Sequence, residues 1–210
     1  MLAATLLMTL GQTPTASTSM PNPLKGLGLQ MGMPRKEPPV DFATKFRRSE
    51  PRLIIEQLAK SLGKTEIDQR TVLAFLNLGL DEVEVEFKNK AWDNDVAAGV
   101  AFHICTIYSL ARDKALPDTA FTSLTLQLRK DLGTKAMAEL AAAEKQAIYE
   151  YALGMSVYYL TMAASAKTDD QRALVKAKCE GALKTIFDTS IGTVVIDKNG
   201  LRRTKPKTGG

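Results

Sequence analysis

Apolar residues recur at intervals of three and four positions through most of this chain, between residues 50 and 188. This interval matches the 3.6 residues of an α-helical turn, so each such segment has an apolar face that must be buried. Residues that cap, start or end helices separate the segments. The pattern therefore predicts an all-α fold, a single bundle of about six helices.

Local signals set the bounds of these helices. Ser49 is predicted to cap the first, Thr65 and Asp68 to form a capping box at the second, and Asn94 to cap the third. The alternation of acidic and apolar residues over 82–87 also fits a strand, but no strong partner strand is apparent. The predicted helices run over 50–62, 65–87, 95–112, 117–132, 135–166 and 169–188.

The two ends of the chain differ in composition from the predicted helices. Residues 1–16 combine an uncharged apolar run with small residues, a pattern typical of a secretory signal peptide. The usual basic start is missing, so an apolar tail is the alternative, and the run is too short for a membrane-spanning helix. Residues 17–45 are rich in Pro, Gly, Ser and Met and predict a disordered linker before a helical domain at 46–190.

Residues 191–210 are predicted to form a hairpin followed by a flexible basic tail. Two short apolar runs flank Asn199 and Gly200, the residue pair that favours a tight β-turn. The tail carries a cluster of cations. They are Lys198, Arg202, Arg203, Lys205 and Lys207.

The net charge of +5 comes from the ends of the chain. Residues 51–196 hold 17 basic and 19 acidic side chains. Nucleic-acid-binding folds usually carry positive charge on the folded surface, so this distribution disfavours a nucleic-acid partner. The basic tail remains a candidate for weak binding to polyanions or membrane surfaces, and a solvated tail is the alternative.

The sequence lacks the residue clusters that most catalytic or metal sites need. His103 is the single histidine, and no phosphate-binding loop, GxSxG, HExxH or paired CxxC motif occurs. His103 and Cys105 diverge by about 200° on a helix, so they form no dyad, and His103 is predicted at the polar edge of a core helix. No metal site and no cofactor are predicted.

The two cysteines, Cys105 and Cys179, lie in different predicted helices. An exported protein permits a disulfide between them, and two buried free thiols are the alternative. The sequence alone does not choose between these states.

Four polar residues are candidates for a buried network or a small pocket. Gln146 and Glu150 are neighbours on one helix face, Asp95 begins the helix expected at the centre, and Gln127 lies on the helix after it. Structural cross-bracing is the alternative to ligand binding. For Asp95 and the nearby Asp93, capping of a helix N-terminus is a sufficient structural reason.

The chain resembles an uncharacterised bacterial family of exported all-helical proteins, a domain of unknown function, over roughly 42–203. The resemblance implies a helical fold and export but assigns no catalytic residue. It is carried by FRRSEPR at Phe46–Arg52, NDVA at Asn94–Ala97, Gln127, KQAIYE at Lys145–Glu150 and VVIDKNGL at Val194–Leu201.

Three functional hypotheses follow. The first is an exported protein, periplasmic or extracellular, that acts as a non-enzymatic structural or protein-interaction module. The second is a binder of polyanions or membrane surfaces through the basic tail. The third is an enzyme with a small polar pocket at Asp95, Gln146 and Glu150. The sequence makes no prediction of oligomeric state.

Overall fold

A computed structural model of the chain describes residues 22–24, 38–49, 52–187 and 191–204. It confirms the predicted all-α bundle with a short C-terminal hairpin. The described elements are α1 Ile55–Leu62, α2 Glu66–Asn89, α3 Val96–Arg112, α4 Asp118–Leu132, α5 Lys135–Glu139, α6 Ala142–Ser165, α7 Asp169–Phe187, a 3₁₀ turn Ile191–Thr193, β1 Val194–Asp197 and β2 Gly200–Arg203.

The start of the first helix differs from the prediction. α1 begins at Ile55, and Ser49 does not cap it. The backbone N–H and hydroxyl of Ser49 instead donate to the side chain of Gln146 on α6. The polar groups of Ser49 therefore find their hydrogen-bond partner on α6 and not at the start of α1. This explains why the capping signal was misleading.

The predicted helix over 135–166 is two helices, so seven helices rather than six occur in the described part of the chain. The break lies at Leu140 and Ala141, whose backbone is extended. The Glu144 carboxylate accepts the Ala141 N–H at 2.8 Å and so starts α6 afresh. The Thr134 hydroxyl accepts the Met137 N–H and starts α5 in the same way.

α2 confirms the predicted capping box and the predicted continuity of the helix. Thr65 and Asp68 exchange two hydrogen bonds of 3.1 Å. The helix continues through Gly79 because α6 packs closely there, and a Cβ at Gly79 would lie 2.5 Å from Val157 Cγ1. The strand alternative for 82–87 is wrong.

The start of α3 corrects another prediction. Asp95 caps this helix, with its carboxylate accepting the Ala97 N–H at 3.0 Å. Asn94, the predicted cap, has a left-handed backbone with φ of 51° and precedes the cap. Asn94 therefore turns the chain toward α3, a role that asparagine tolerates better than most residues.

α3 lies at the centre of the bundle, as its almost continuous apolar sequence predicts. It packs against α4, α6 and α7, while α1 and α2 pack on each other and on α6. The hairpin packs on α4. Among the helices that the structure describes, none has the length and hydropathy that a membrane span needs.

Part of the segment predicted as a linker packs on the helical core. Leu24, Ala43 and Thr44 are buried, and the Thr44 carbonyl accepts the Val96 N–H at 3.0 Å. The start of α3 is therefore held by chain that precedes the predicted domain. The predicted signal peptide at 1–16 lies outside the described residues.

Candidate functional site

Gln146 and Glu150 form a fully buried pair on α6, joined by a 2.7 Å hydrogen bond. The Gln146 side chain also binds the backbone N–H and carbonyl of Ser49. The second Glu150 oxygen accepts the backbone N–H groups of Leu53 and Ile54 at 2.9 and 3.1 Å. This pair holds the chain before α1 against α6. Its amide and carboxylate groups are engaged in these hydrogen bonds.

Asp95 and Gln127, the other two residues predicted for a polar network, have different partners. The buried Asp95 carboxylate caps α3 and accepts from Arg129 Nε at 2.7 Å, with Lys45 Nζ at 3.7 Å. The Gln127 side chain bonds both the N–H and the carbonyl of Leu201 in β2. The structure thus brings Gln146 and Glu150 together and places Asp95 and Gln127 in separate clusters.

A fourth polar cluster was not predicted from the sequence. Arg48 makes a two-point contact with Glu84 of α2, which raises the pKa of the guanidinium. Arg52 also reaches Glu84, at 3.2 Å, and pairs with Asp81. Both arginines belong to the FRRSEPR segment, which was noted for its resemblance but not for its chemistry.

His103 is buried rather than at the polar edge of its helix, which corrects the prediction. Its side chain is near Ser156, with Nδ1 3.2 Å from the hydroxyl oxygen. Burial lowers the pKa of His103 to about 4, so the ring is neutral at physiological pH. The preceding apolar residues predicted burial of the helix but not the orientation of this ring.

Cys105 and Cys179 are both buried free thiols. Burial raises the pKa of each thiol to about 12. A thiol with so high a pKa is a poor nucleophile at neutral pH. Within the described residues there is also no group of three or more His, Cys, Asp or Glu side chains that could hold a metal ion.

The predicted basic tail is described only in part. Lys198 and Arg203 are exposed on the hairpin, and Arg202 pairs with Asp197. The Asn199 N–H and the Arg202 guanidinium lower the pKa of Asp197. Lys205 and Lys207 lie outside the described residues.

A groove between α2, α3 and α4 is a feature that the sequence did not predict. Its volume is about 740 Å³. α3 forms its floor through Phe102, Thr106 and Ser109, which lie on one helix face. Val83 and Phe87 of α2 line one wall. The apolar period of a helix predicts which face is buried, but it does not reveal where two neighbouring helices stand apart.

Four aromatic rings gather at one end of this groove. Trp92 meets Phe121 edge-to-face with ring centroids 4.6 Å apart, and Phe87 meets Phe102 at 5.9 Å. Lys90 Nζ lies 5.4 Å from the Trp92 ring. Interlocked rings of this kind lose little conformational entropy on binding and provide a large apolar contact area.

The rim of the groove is acidic. Glu82 and Glu86 line it from α2, and Asp118 lines it from the start of α4. The ion pairs of the described chain leave these three carboxylates unused, and Lys90 is the one basic residue among the lining residues. The groove therefore suits an apolar occupant that carries positive charge.

The family model of DUF6683, a family of unknown function, matches residues 30–204, which include the polar clusters and the groove. The chain belongs to the DUF6683 family. Comparison with curated proteins and with solved structures finds no match. Membership of DUF6683 thus agrees with the predicted resemblance to a domain of unknown function, and it assigns no activity to any residue.

Proposed function

We propose that this DUF6683 protein is a non-enzymatic protein-interaction module that holds an apolar, basic segment of a partner protein in the aromatic groove. The observation that carries the proposal is the groove itself, with a volume of about 740 Å³ and a lining of interlocked aromatic rings. Binding sites usually combine such apolar concave surfaces with a few well-placed polar groups.

The state of the buried polar groups supports a binding role over catalysis. Glu150 and Asp95 are committed to backbone amides and an arginine. The pKa of His103 is about 4 and that of Cys105 about 12, far from the neutral range in which acid–base or thiolate chemistry is efficient. Glu150 and Asp95 therefore stabilise the fold.

The dimensions of the groove suit a short peptide segment. From Phe102 to Leu110 the floor extends about 12 Å along α3, which equals about two turns of a bound helix. A large apolar side chain of the segment contacts Trp92 and Phe121, while a lysine or arginine faces Glu82, Glu86 and Asp118. This arrangement follows the usual helix-in-groove mode of recognition.

Site-specific photocrosslinking tests this function. A photoreactive amino acid replaces Thr122 in the groove or, as a control, the exposed Ala177 of α7. Each full-length variant is irradiated in extract of the native host. We expect an adduct only at position 122, and mass spectrometry of the adduct should identify an apolar segment that contains Lys or Arg. No adduct at 122, or the same adduct at both positions, would contradict the proposal.

Export is the second part of the proposal, with the protein acting in the periplasm or outside a bacterial cell. It is supported by the apolar run Met1–Leu10 and the small residues that follow. Mass spectrometry of the protein from each cellular fraction of its host tests this part. We expect a chain without residues 1–16 in the exported fraction, and an intact chain confined to the cytoplasm would contradict export.

A further inference from the structure

α2 has two apolar faces, and only one of them is packed against other residues that the structure describes. Val72, Leu76 and Leu80 are fully buried against the bundle. On the opposite side, Ile67, Leu78 and Val85 are exposed to 74%, 64% and 58%. Their spacings of eleven and seven residues place these three side chains within about 20° of one another around the helix.

The side chains on this side form a stripe along the helix, which we call the α2 stripe: the exposed Ile67, Ala74, Leu78 and Val85 and the partly exposed Thr71. It extends over about 27 Å of the helix. Single exposed apolar residues are common on protein surfaces, but an aligned series on one helix is typical of a contact surface. The stripe lies opposite the buried face, so packing within the bundle does not account for it.

We propose that the α2 stripe pairs with the α2 stripe of a second copy of this chain. The arrangement is antiparallel, about a two-fold axis that crosses the stripe at the level of Leu76 along the helix. Ile67 and Val85 each lie nine residues from Leu76, and Ala74 and Leu78 each lie two residues from it. The axis therefore places Ile67 against Val85 of the second copy and Ala74 against its Leu78. A two-fold contact of this kind is self-complementary and closed.

Charge complementarity selects the antiparallel direction. Arg70 and Asp81 lie on the same side of the stripe, six residues before and five residues after Leu76. The antiparallel axis brings Arg70 of each copy beside Asp81 of the other. A parallel pair would instead bring Asp81 beside Glu82 of the other copy, which is a repulsive contact.

Both charged groups are accessible for this contact. Arg70 pairs with Glu66 at 2.5 Å and Asp81 pairs with Arg52, but the Arg70 and Asp81 side chains remain 78% and 69% exposed. Such surface ion pairs are weak and allow a further partner.

The contact between the two stripes is small. One pair of crossing helices buries less than the roughly 800 Å² per partner of a standard interface, so the dimer is expected to depend on protein concentration. Val83 and Phe87, which line the groove, lie on the other side of α2, so this pairing stands independently of the proposed groove function.

Sedimentation velocity of the full-length chain across a micromolar concentration range tests the pairing. We expect a reversible monomer–dimer equilibrium, and Leu78→Glu should raise its dissociation constant by at least about tenfold. The matched control is Leu126→Glu, at a leucine of α4 that is 51% exposed outside the stripe. A monomeric wild type throughout the range, or equal weakening by both variants, would overturn the proposal.

A charge exchange tests the register and direction. Arg70→Asp and Asp81→Arg should each weaken the dimer, and the double variant should restore it toward the wild-type dissociation constant. Far-UV circular dichroism establishes that each variant is folded. Failure of the double variant to recover association, when both single variants lose it, would overturn the antiparallel register.

Discussion

Glu150 shows how a single buried carboxylate can hold two distant parts of the chain together. It accepts the N–H groups of Leu53 and Ile54, which lie almost one hundred residues earlier in the chain. These amides precede the first turn of α1, so they have no carbonyl partner within the helix. The carboxylate therefore acts as a cap supplied by another helix.

Replacement of this carboxylate should strongly destabilise the fold. Glu150→Ala removes the acceptor of the half-buried Leu53 N–H, of the buried Ile54 N–H and of one Gln146 amide hydrogen bond, so we expect the free energy of unfolding to fall by about 2–4 kcal/mol. Urea denaturation at neutral pH measures this change. The comparison is Glu66→Ala, which removes only an exposed ion pair and should change stability by less than about 1 kcal/mol. Equal losses in the two variants would contradict the role of Glu150.

His103 should make stability depend on pH. Its pKa is about 4 in the folded protein and 6.5 in a model compound, so between these values the unfolded chain binds more protons. Stability therefore falls as the pH drops from about 6.5 to about 4, by roughly 3 kcal/mol from this group.

The comparison for His103 is His103→Gln, which cannot take up a proton. Urea denaturation of both proteins across this pH range should give a shallower decrease for the variant than for the wild type. Parallel curves would show that protonation of the imidazole does not cause the loss of stability at low pH.

At the scale of residues, the sequence predicted neighbours but not distant partners. The i, i+4 spacing of Gln146 and Glu150 indicated their contact, and it is present at 2.7 Å. Ser49, which binds Gln146, lies 97 residues away in sequence, and local spacing carries no information about such a contact. The same limit concealed the contacts of Arg48 and Arg52 with α2.

At the scale of elements, close helix packing depends on glycine. A Cβ at Gly99 of α3 would lie 2.8 Å from the Tyr149 ring, which is fully buried and has little room to move. A Cβ at Gly181 of α7 would meet nothing within 4 Å. The same substitution at the two glycines therefore has opposite expected effects.

Gly99→Ala should lower stability and Gly181→Ala should raise it. Overpacking against Tyr149 costs about 1–3 kcal/mol, whereas alanine in an open helical position adds about 0.5–1 kcal/mol. Thermal or urea denaturation of both variants measures the difference. A stabilised Gly99→Ala protein would contradict the close contact between α3 and α6.

The sequence predicted the elements better than their ends. Regular apolar spacing identified the helices because burial of one face dominates their stability. The break before α6 depends on Glu144 reaching back to Ala141, and the late start of α1 depends on contacts with α6. Those ends are set by competing hydrogen bonds, which the apolar period does not report.

At the scale of the whole molecule, the described helices form a bundle that is open along one side of α3. α3 is covered by α4, α6 and α7, but α2 and α4 stand apart over its outer face and leave the aromatic groove. Residues 51–196 carry a slight excess of acidic side chains, and three of these, Glu82, Glu86 and Asp118, lie at this rim. The sequence indicates the sign of this charge but not its position beside the aromatic rings.

Trp92 provides a direct measurement of groove occupancy, because it is the single tryptophan of the chain and lines the groove. Its fluorescence is followed during titration with two matched amphipathic peptides, one of leucine and lysine and one of leucine and glutamate. Ser109→Phe, which fills the groove floor, and Ala177→Phe on the exposed face of α7 serve as test and control variants.

We expect a saturable change of Trp92 emission with the lysine peptide and little change with the glutamate peptide. The response to the lysine peptide should be lost in Ser109→Phe but not in Ala177→Phe. No saturable change with the lysine peptide, or equal responses to both peptides, would contradict the proposal that this groove binds an apolar, basic segment.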